Sequence, residues 1–237
     1  MTYIREDNYR IGIFLKRDNR FVAWLVDDAK RIRCHLPNPG RMEFLLQENQ
    51  TRLIYIPAPP NSNRKTDGTI IGIVEQDSTV INLDTMMYRP LLEAEIRANS
   101  LERFSNWQII RAEPTLDNHR FDFIFTTQHT EIIVKVKSTT RVVNHLACFP
   151  DAVSKRAQDH LTHLVELQQQ DMNVMLIFLV YQDATAFRPC NTIDPQFSTL
   201  FNQYKTQIEV HAFQVKGQFL GDHQIEYNIT GELEIIE

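Results

Sequence analysis

The sequence predicts an α+β chain in two parts. A small β-barrel spans about residues 1–86, and an α/β domain with a mixed sheet flanked by helices spans 87–237. Three observations carry this reading. The first ninety residues hold short, alternating apolar runs broken by polar turns, with almost no helical period among them. From Arg89 onward, strand-like and helix-like stretches alternate, the order expected when helices cover a sheet. Finally, 43% hydrophobic and 23% charged residues in 237 positions is an ordinary globular balance, able to bury a core in each part.

The elements follow in order. Arg20–Val26 and Arg31–Leu36 flank the Asp27-Asp28 turn, and Thr51–Ile56 is an alternating strand followed by a Pro/Asn loop over Pro57–Asn63. Ile70–Val74 and Thr79–Leu83 flank the polar turn Glu75–Ser78, and Met42–Leu46 is the one helical candidate. About five strands without a strong helix suggest an OB-fold barrel. The second part reads as helix 90–99, strands 107–113, 120–126 and 131–137, helix 152–169, strand 174–181, helix 195–205 and strand 208–215. Val153, Ala157, Leu161, Leu164 and Gln168 put a mostly apolar stripe at helical spacing. Asp194-Pro195 supplies a capping carboxylate and a proline at the first helical position.

Composition narrows the functional classes. The longest apolar run, Val174–Tyr181, is too short to span a bilayer, and MTYIREDNYR holds no secretory apolar region. Cys34, Cys148 and Cys190 are odd in number and widely separated, which suits a reduced thiol inventory and a cytoplasmic location, with no zinc site. Net charge is −5, yet residues 1–65 carry twelve Lys/Arg against seven Asp/Glu, and the remainder thirteen against twenty-three. Residues 135–156 form a second basic island, with five Lys/Arg against Asp151. Two such islands on an acidic body can guide a polyanion to defined places.

Strand alternation gathers one cluster. In HRFDFIF (119–125), Phe121, Phe123 and Phe125 share a face, leaving Arg120, Asp122 and Ile124 opposite. In EIIVKVK (131–137), Ile132, Val134 and Val136 share a face, leaving Ile133, Lys135 and Lys137 opposite. Paired strands would bring one acid and two amines together, either as a partly buried ion pair or as a phosphate-holding site. The loop Cys34–Met42 brings Asn38 and Arg41 to a tight turn, and Asn61–Thr66 presents Asn63, Arg64 and Lys65; both suit backbone phosphates. Phe21 and Trp24 are candidate stacking platforms for single strands. His160 and His163, at i, i+3, read as surface or packing residues.

The Asp122–x12–Lys135–Val136–Lys137 pattern resembles the metal-and-lysine site of restriction-endonuclease-like, PD-(D/E)XK, domains, with Lys135 where Glu is expected. Such nucleases hold Mg²⁺ or Mn²⁺ on carboxylates, for which Asp122 and Glu93 are the candidates, with Lys137 beside the attacking water. An ammonium has no acceptor and cannot ligate a metal. A unit positive charge about 4 Å from a divalent ion costs on the order of 8 kcal/mol at an effective dielectric of 20. The chain as a whole resembles the sugar fermentation stimulation protein A (SfsA) family. The matching runs are Arg17–Phe21, HLPNPGRMEFLL (35–46), NRKT (63–66), LLEAEI (91–96), RFDF (120–123), VKVK (134–137), FPDAVSKRAQDHLTHL (149–164), IFLVYQDATAFRP (177–189) and DPQF (194–197). The resemblance implies an OB-like domain, a restriction-endonuclease-like domain, DNA binding and a role in regulating sugar (maltose) use. It implies acid roles for Glu93 and Asp122, a lysine role for Lys137 and a site contact from Asp151. Arg20, Lys135 and Lys137 are further candidate DNA contacts. The chain departs from the family at Lys135, and also at Pro39, Asp67-Gly68 and Ala157. DNA is the expected partner, and no membrane is. The alternatives are a Mg²⁺/Mn²⁺ nuclease using Glu93, Asp122 and Lys137, and a module that binds a transcription regulator.

Overall fold

The computed structural model describes residues 2–116, 119–127, 130–221 and 223–237. Its contacts divide the chain into two units, Ile4–Met87 with Lys216–Tyr227, and Met1–Tyr3 with Tyr88–Val215 and Asn228–Glu237. A single cut at 86/87 misses two exchanges: the residues through Tyr3 fall with the second unit, and Lys216–Tyr227 packs with the first. Gly217 permits it, because a Cβ there would stand 2.5 Å from the Val80 carbonyl oxygen and 2.9 Å from Tyr227 Cε1.

The chain opens with β1 (Thr2–Glu6), which straddles the two units, and the first unit then runs through β2 (Arg10–Asn19), β3 (Val22–Asp27), β4 (Lys30–His35), β5 (Arg52–Pro57), β6 (Gly68–Val74) and β7 (Val80–Asn82). The order β4-β3-β2-β5-β6-β7, with a parallel pairing of β4 to β6, closes β2–β6 into a five-stranded OB barrel. Closure depends on Gly68, opposite Cys34: a Cβ would lie 2.7 Å from the Ile56 carbonyl oxygen and 2.9 Å from Tyr55 Cδ2. The β3–β4 hairpin turns through Asp28 and Ala29, both at positive φ. Strand β2 escaped the sequence reading because bulges at Phe14/Lys16 and Arg17/Asn19 break its alternation. The helix expected at Met42–Leu46 is a run of turns entered through Met42 at φ 53°.

The second unit continues with α1 (Tyr88–Ala98), β8 (Gln108–Ala112), β9 (Thr115–Leu116), β10 (His119–Arg120), β11 (Phe123–Thr126), β12 (Glu131–Thr139), β13 (Arg141–Val143) and β14 (Leu146–Phe149). Then follow α2 (Lys155–Gln169), β15 (Asn173–Val180), β16 (Ala186–Pro189), α3 (Pro195–Tyr204), β17 (Glu209–Gly221), β18 (Gln224–Glu232) and β19 (Glu234–Ile235). The main sheet runs β17-β15-β12-β11-β8, with β18 and β1 beyond β17. It is mixed: β12, β15 and β17 are parallel, and β11 opposes both β12 and β8. A smaller sheet, β13-β14-β16-β19, stands beside it. The strand expected at 120–126 is interrupted, since His119–Arg120 pairs with Thr115–Leu116 and regular pairing resumes only at Phe123.

Helix α2 starts one turn later than expected, capped by Ser154, whose side chain accepts the Ala157 N–H. Val153 lies before the cap and is 67% exposed, so the buried stripe is Ala157, Leu161, Leu164, Val165 and Leu167. These side chains join Phe178, Phe187, Phe197 and Phe201 in one core. Each fully buried leucine there contributes about 2–3 kcal/mol relative to exposure. Asp194 caps α3 by accepting the Phe197 N–H at 3.0 Å, with Pro195 opening the helix. Among the described residues, no helix is long and apolar enough to cross a membrane.

Candidate functional site

The register sets the site. Phe123 lies opposite Val134, so the residue before Phe123, Asp122, meets the residue after Val134, Lys135. Lys135 Nζ donates to Asp122 Oδ1 at 3.1 Å and to the Arg120 carbonyl oxygen at 3.0 Å. Asp122 Oδ2 accepts the Val136 N–H at 2.6 Å, and the Tyr88 hydroxyl also hydrogen-bonds this carboxylate. Burial, followed by the charge of Asp122, raises the Tyr88 pKa. Both charges are removed from water, Asp122 at 8% and Lys135 at 6% exposure. A buried charge persists only when paired and hydrogen-bonded. The ammonium is thus the internal counterion of Asp122.

Lys137 lies two residues further along β12, with Nζ 2.9 Å from His160 Nδ1 on α2. Burial and then the Lys135 charge lower the Lys137 pKa to about 7, with Arg156 adding to the effect and Asp122 opposing it. His160 is pushed down to about 3 by burial and then by Lys137, Lys135, Arg156 and His119, so it is a neutral acceptor for the Lys137 ammonium. The next histidine on this helix, His163, stacks on His119 at 3.9 Å and on Phe121 at 5.7 Å. The i, i+3 spacing was therefore visible in the sequence, but which strand the two histidines face was not.

This arrangement makes a pH prediction. Unfolded, Lys137 keeps its proton up to about 10.5; folded, it loses it near 7. Between those values the unfolded chain binds more protons, so this group makes stability rise with pH. Lys137→Met is expected to stabilise the protein at pH 6–7, on the order of a few kcal/mol, with the gap closing toward pH 10. Urea melts of both proteins across that range check it; a gap that is constant or widens with pH contradicts it.

Glu93 shares Arg89 with Glu113. Its Oε1 accepts from Arg89 Nε at 3.0 Å, and it lines a cavity with Arg97, Trp107 and Gln108 that includes neither Asp122 nor the two lysines. Glu113 is tied to the Asp122 segment through its backbone: its N–H donates to the Asp122 carbonyl oxygen at 2.9 Å. Its side chain pairs with Arg120, and with Arg89 at 3.6 Å. Glu113 at φ 53° follows β8, where no sequence period marks it. Asp151 pairs with Arg141 at 3.3 Å. For a divalent metal the donor set does not fit. Asp122 is occupied by an ammonium, an amide and a hydroxyl, and among the described residues no three His, Cys, Asp or Glu side chains are grouped to hold an ion.

In the barrel unit, two arginines brace the basic loops. Arg17 Nη1 donates to the Gly40 and Arg41 carbonyl oxygens, both at 2.8 Å, and Nη2 to that of Arg20 at 2.6 Å. Arg33 Nη1 donates to the Lys65 carbonyl oxygen at 2.8 Å. Because the braces use main-chain oxygens, the side chains of Arg20, Arg41, Arg64 and Lys65 remain exposed, and among the described residues no carboxylate pairs with them. Asn63 is exposed as well. Asn38 is instead buried, its Oδ1 accepting the Gly40 N–H at 3.0 Å to shape the turn. Phe21 is 40% exposed beneath the Arg20 guanidinium, whereas Trp24 is half-buried and donates to Asp18 at 3.0 Å.

An OB barrel followed by an α/β unit with an acid–lysine pair on adjacent strands defines a class of two-part OB and α/β proteins. Comparison with known proteins identifies which one. The family model described as the SfsA N-terminal OB domain matches residues 15–83, and the one described as the sugar fermentation stimulation protein RE domain matches 86–219. The chain belongs to the sugar fermentation stimulation protein family. A homologue from Clostridium perfringens is 31% identical over 210 residues, 87% of this chain and 90% of its own. Another, from Methanosphaera stadtmanae, is 30% identical over 214 residues, 88% of each chain. The solved structure of Pyrococcus furiosus SfsA in complex with Ca²⁺ shares the fold, with a TM-score of 0.86 at 24% identity over 98% of both chains.

Proposed function

We propose that the protein is a DNA-binding member of its family, holding the phosphate backbone with weak sequence selectivity and acting in the regulation of sugar use. The nuclease-like centre, on this reading, does not cut DNA through a divalent metal. The carrying observation is the Lys135–Asp122 pair, in which an ammonium 3.1 Å from Oδ1 fills the place beside the acid. The barrel supplies the second support: Arg20, Arg41, Arg64 and Lys65 stand exposed on braced loops, which suits contacts that position DNA without reading bases. Within the α/β unit Lys137 is a separate, titrating cation, while Lys135 acts through Asp122 rather than on phosphate.

Affinity for a mixed-sequence DNA should fall steeply with salt. Arg41→Ala combined with Lys65→Ala should reduce the slope of log K against log salt by roughly 1.4 on single strands and 1.8 on duplex. Fluorescence anisotropy at several salt concentrations measures it. An unchanged slope, or no binding, defeats the proposal.

A second reading has one observation in its favour, the Ca²⁺ complex of the Pyrococcus furiosus relative. It makes the protein a Mg²⁺- or Mn²⁺-dependent nuclease using Glu93, Asp122 and Lys137, with Lys135 swung aside. Metal-dependent cutting by the unmodified protein that vanishes in Asp122→Asn would establish it in place of the first.

A further inference from the structure

Away from the Asp122 site, the small sheet of the α/β unit brings together two cysteines that lie 42 positions apart in the sequence. Strands β14 and β16 pair in parallel with Cys148 opposite Arg188. Cys190 follows two residues later, its N–H donating to the Phe149 carbonyl oxygen at 2.7 Å. Period-two alternation therefore sends Cys148, Arg188 and Cys190 to one side. The three side chains line a single cavity of about 500 Å³, together with Arg141, Thr192 and Glu237. Both thiols are nearly buried against the core, at 2% and 4% exposure, yet the cavity gives small molecules a route to them.

The charges around the pair are specific. Arg188 hydrogen-bonds the Cys148 thiol, and among the described residues no carboxylate pairs with its guanidinium. Arg141, from β13, faces Cys190 and is itself paired with Asp151 at 3.3 Å. Thr192 Oγ1 stands 3.7 Å from Cys190 Sγ. Glu237 is the one carboxylate on the cavity wall. The hydrogen bond from Cys148, reinforced by Thr192 and Arg141, lowers the Cys190 pKa against the opposing effect of burial. Cys148 is raised by its neighbour Cys190 and then by burial, and its thiol donates to the Leu146 carbonyl oxygen at 3.5 Å. Cys34 is the internal contrast: fully buried in the barrel, it is pushed up to about 12 by burial and then by Asp67. Electropositive surroundings and a route to solvent are what distinguish a reactive cysteine from an inert buried one.

We propose that Cys190 and Cys148 form a peroxide-reactive dithiol site, with Cys190 as the attacking thiolate and Cys148 as the resolving thiol. Hydrogen peroxide is the oxidant. The Cys190 sulfur attacks one peroxide oxygen; an S–O bond forms, the O–O bond breaks, and hydroxide leaves to take up a proton as water. Cys190 is now a sulfenic acid, oxidised by the two electrons that the peroxide gained. The Cys148 sulfur then attacks Cys190 sulfur, the S–O bond breaks, and a second water carries away the Cys148 proton as the disulfide forms. Thr192 and Arg141 stabilise the attacking thiolate, and the cavity admits a molecule the size of peroxide.

The test uses the full-length protein under native conditions. Iodoacetamide at pH 7 should label Cys190 at least about tenfold faster than Cys34. Hydrogen peroxide should give a Cys148–Cys190 linked peptide by mass spectrometry. Cys148→Ser should stop at a dimedone-trappable sulfenic acid on Cys190, and Cys190→Ser should give neither product. Thr192→Val, which leaves every thiol in place, should move the pH midpoint of Cys190 labelling upward and slow the peroxide reaction. Labelling of Cys190 no faster than Cys34 overturns the proposal. So does a peroxide product linking Cys34, or a wild-type sulfenic acid that accumulates without a 148–190 link.

Discussion

Lys135→Glu is expected to lower the melting temperature by roughly 10 °C in chelator and to recover most of that loss in Mn²⁺. The substitution removes the cation from a pair only 8% and 6% exposed and sets a second carboxylate beside Asp122. Breaking a buried ion pair costs about 3–5 kcal/mol, and in a domain of this size each kcal/mol shifts melting by about 2–4 °C. A divalent ion between two carboxylates reverses the repulsion, and it binds only the folded chain, so it stabilises by mass action. Thermal melts with and without Mn²⁺, alongside calorimetric titration, provide the measurement. Equal melting of both proteins in chelator, or a variant indifferent to Mn²⁺, would show that Lys135 is not the counterion of this site.

Asp122→Ala is the second large effect, and it separates charge pairing from general packing. It strips the Lys135 ammonium of its carboxylate, and the Val136 N–H and the Tyr88 hydroxyl of their acceptor, leaving three buried donors under-satisfied. The expected cost is about 3–5 kcal/mol. Adding Lys135→Met should restore a substantial share of it, because a buried apolar side chain of similar length needs no partner. The interaction energy from the double-mutant cycle should exceed about 1 kcal/mol. If the two losses simply add, the pair is incidental to the fold and the site proposal loses its footing.

Much of this centre was legible because strand geometry is local. A period of two is enough to put Asp122 on one face and Lys135 with Lys137 on the facing strand, and the register then makes the contact. Helix α3 was equally plain, since Asp194-Pro195 carries its own start signal. What escaped depends on contacts between distant elements. Lys137 meets His160 only because α2 packs over β12, and a histidine on an amphipathic helix gives no hint of its partner. The thiol pair rests on β14 and β16, four residues each and too short to show a pattern. Glu113 had no sequence signal because it sits at a left-handed turn after β8, yet Arg89 pairs with it as well as with Glu93.

The return of Lys216–Tyr227 to the barrel carries a practical lesson for anyone dissecting the gene. Phe219 N–H donates to the Ser78 carbonyl oxygen at 2.8 Å, and Gly217 nestles against Val80, so the barrel's own polypeptide is supplied from two distant stretches of coding sequence. A stop codon after residue 87 would strand it without that final ribbon. Shuffling halves between homologues at this junction would join a barrel to another parent's ribbon, making the two modules inherit as one.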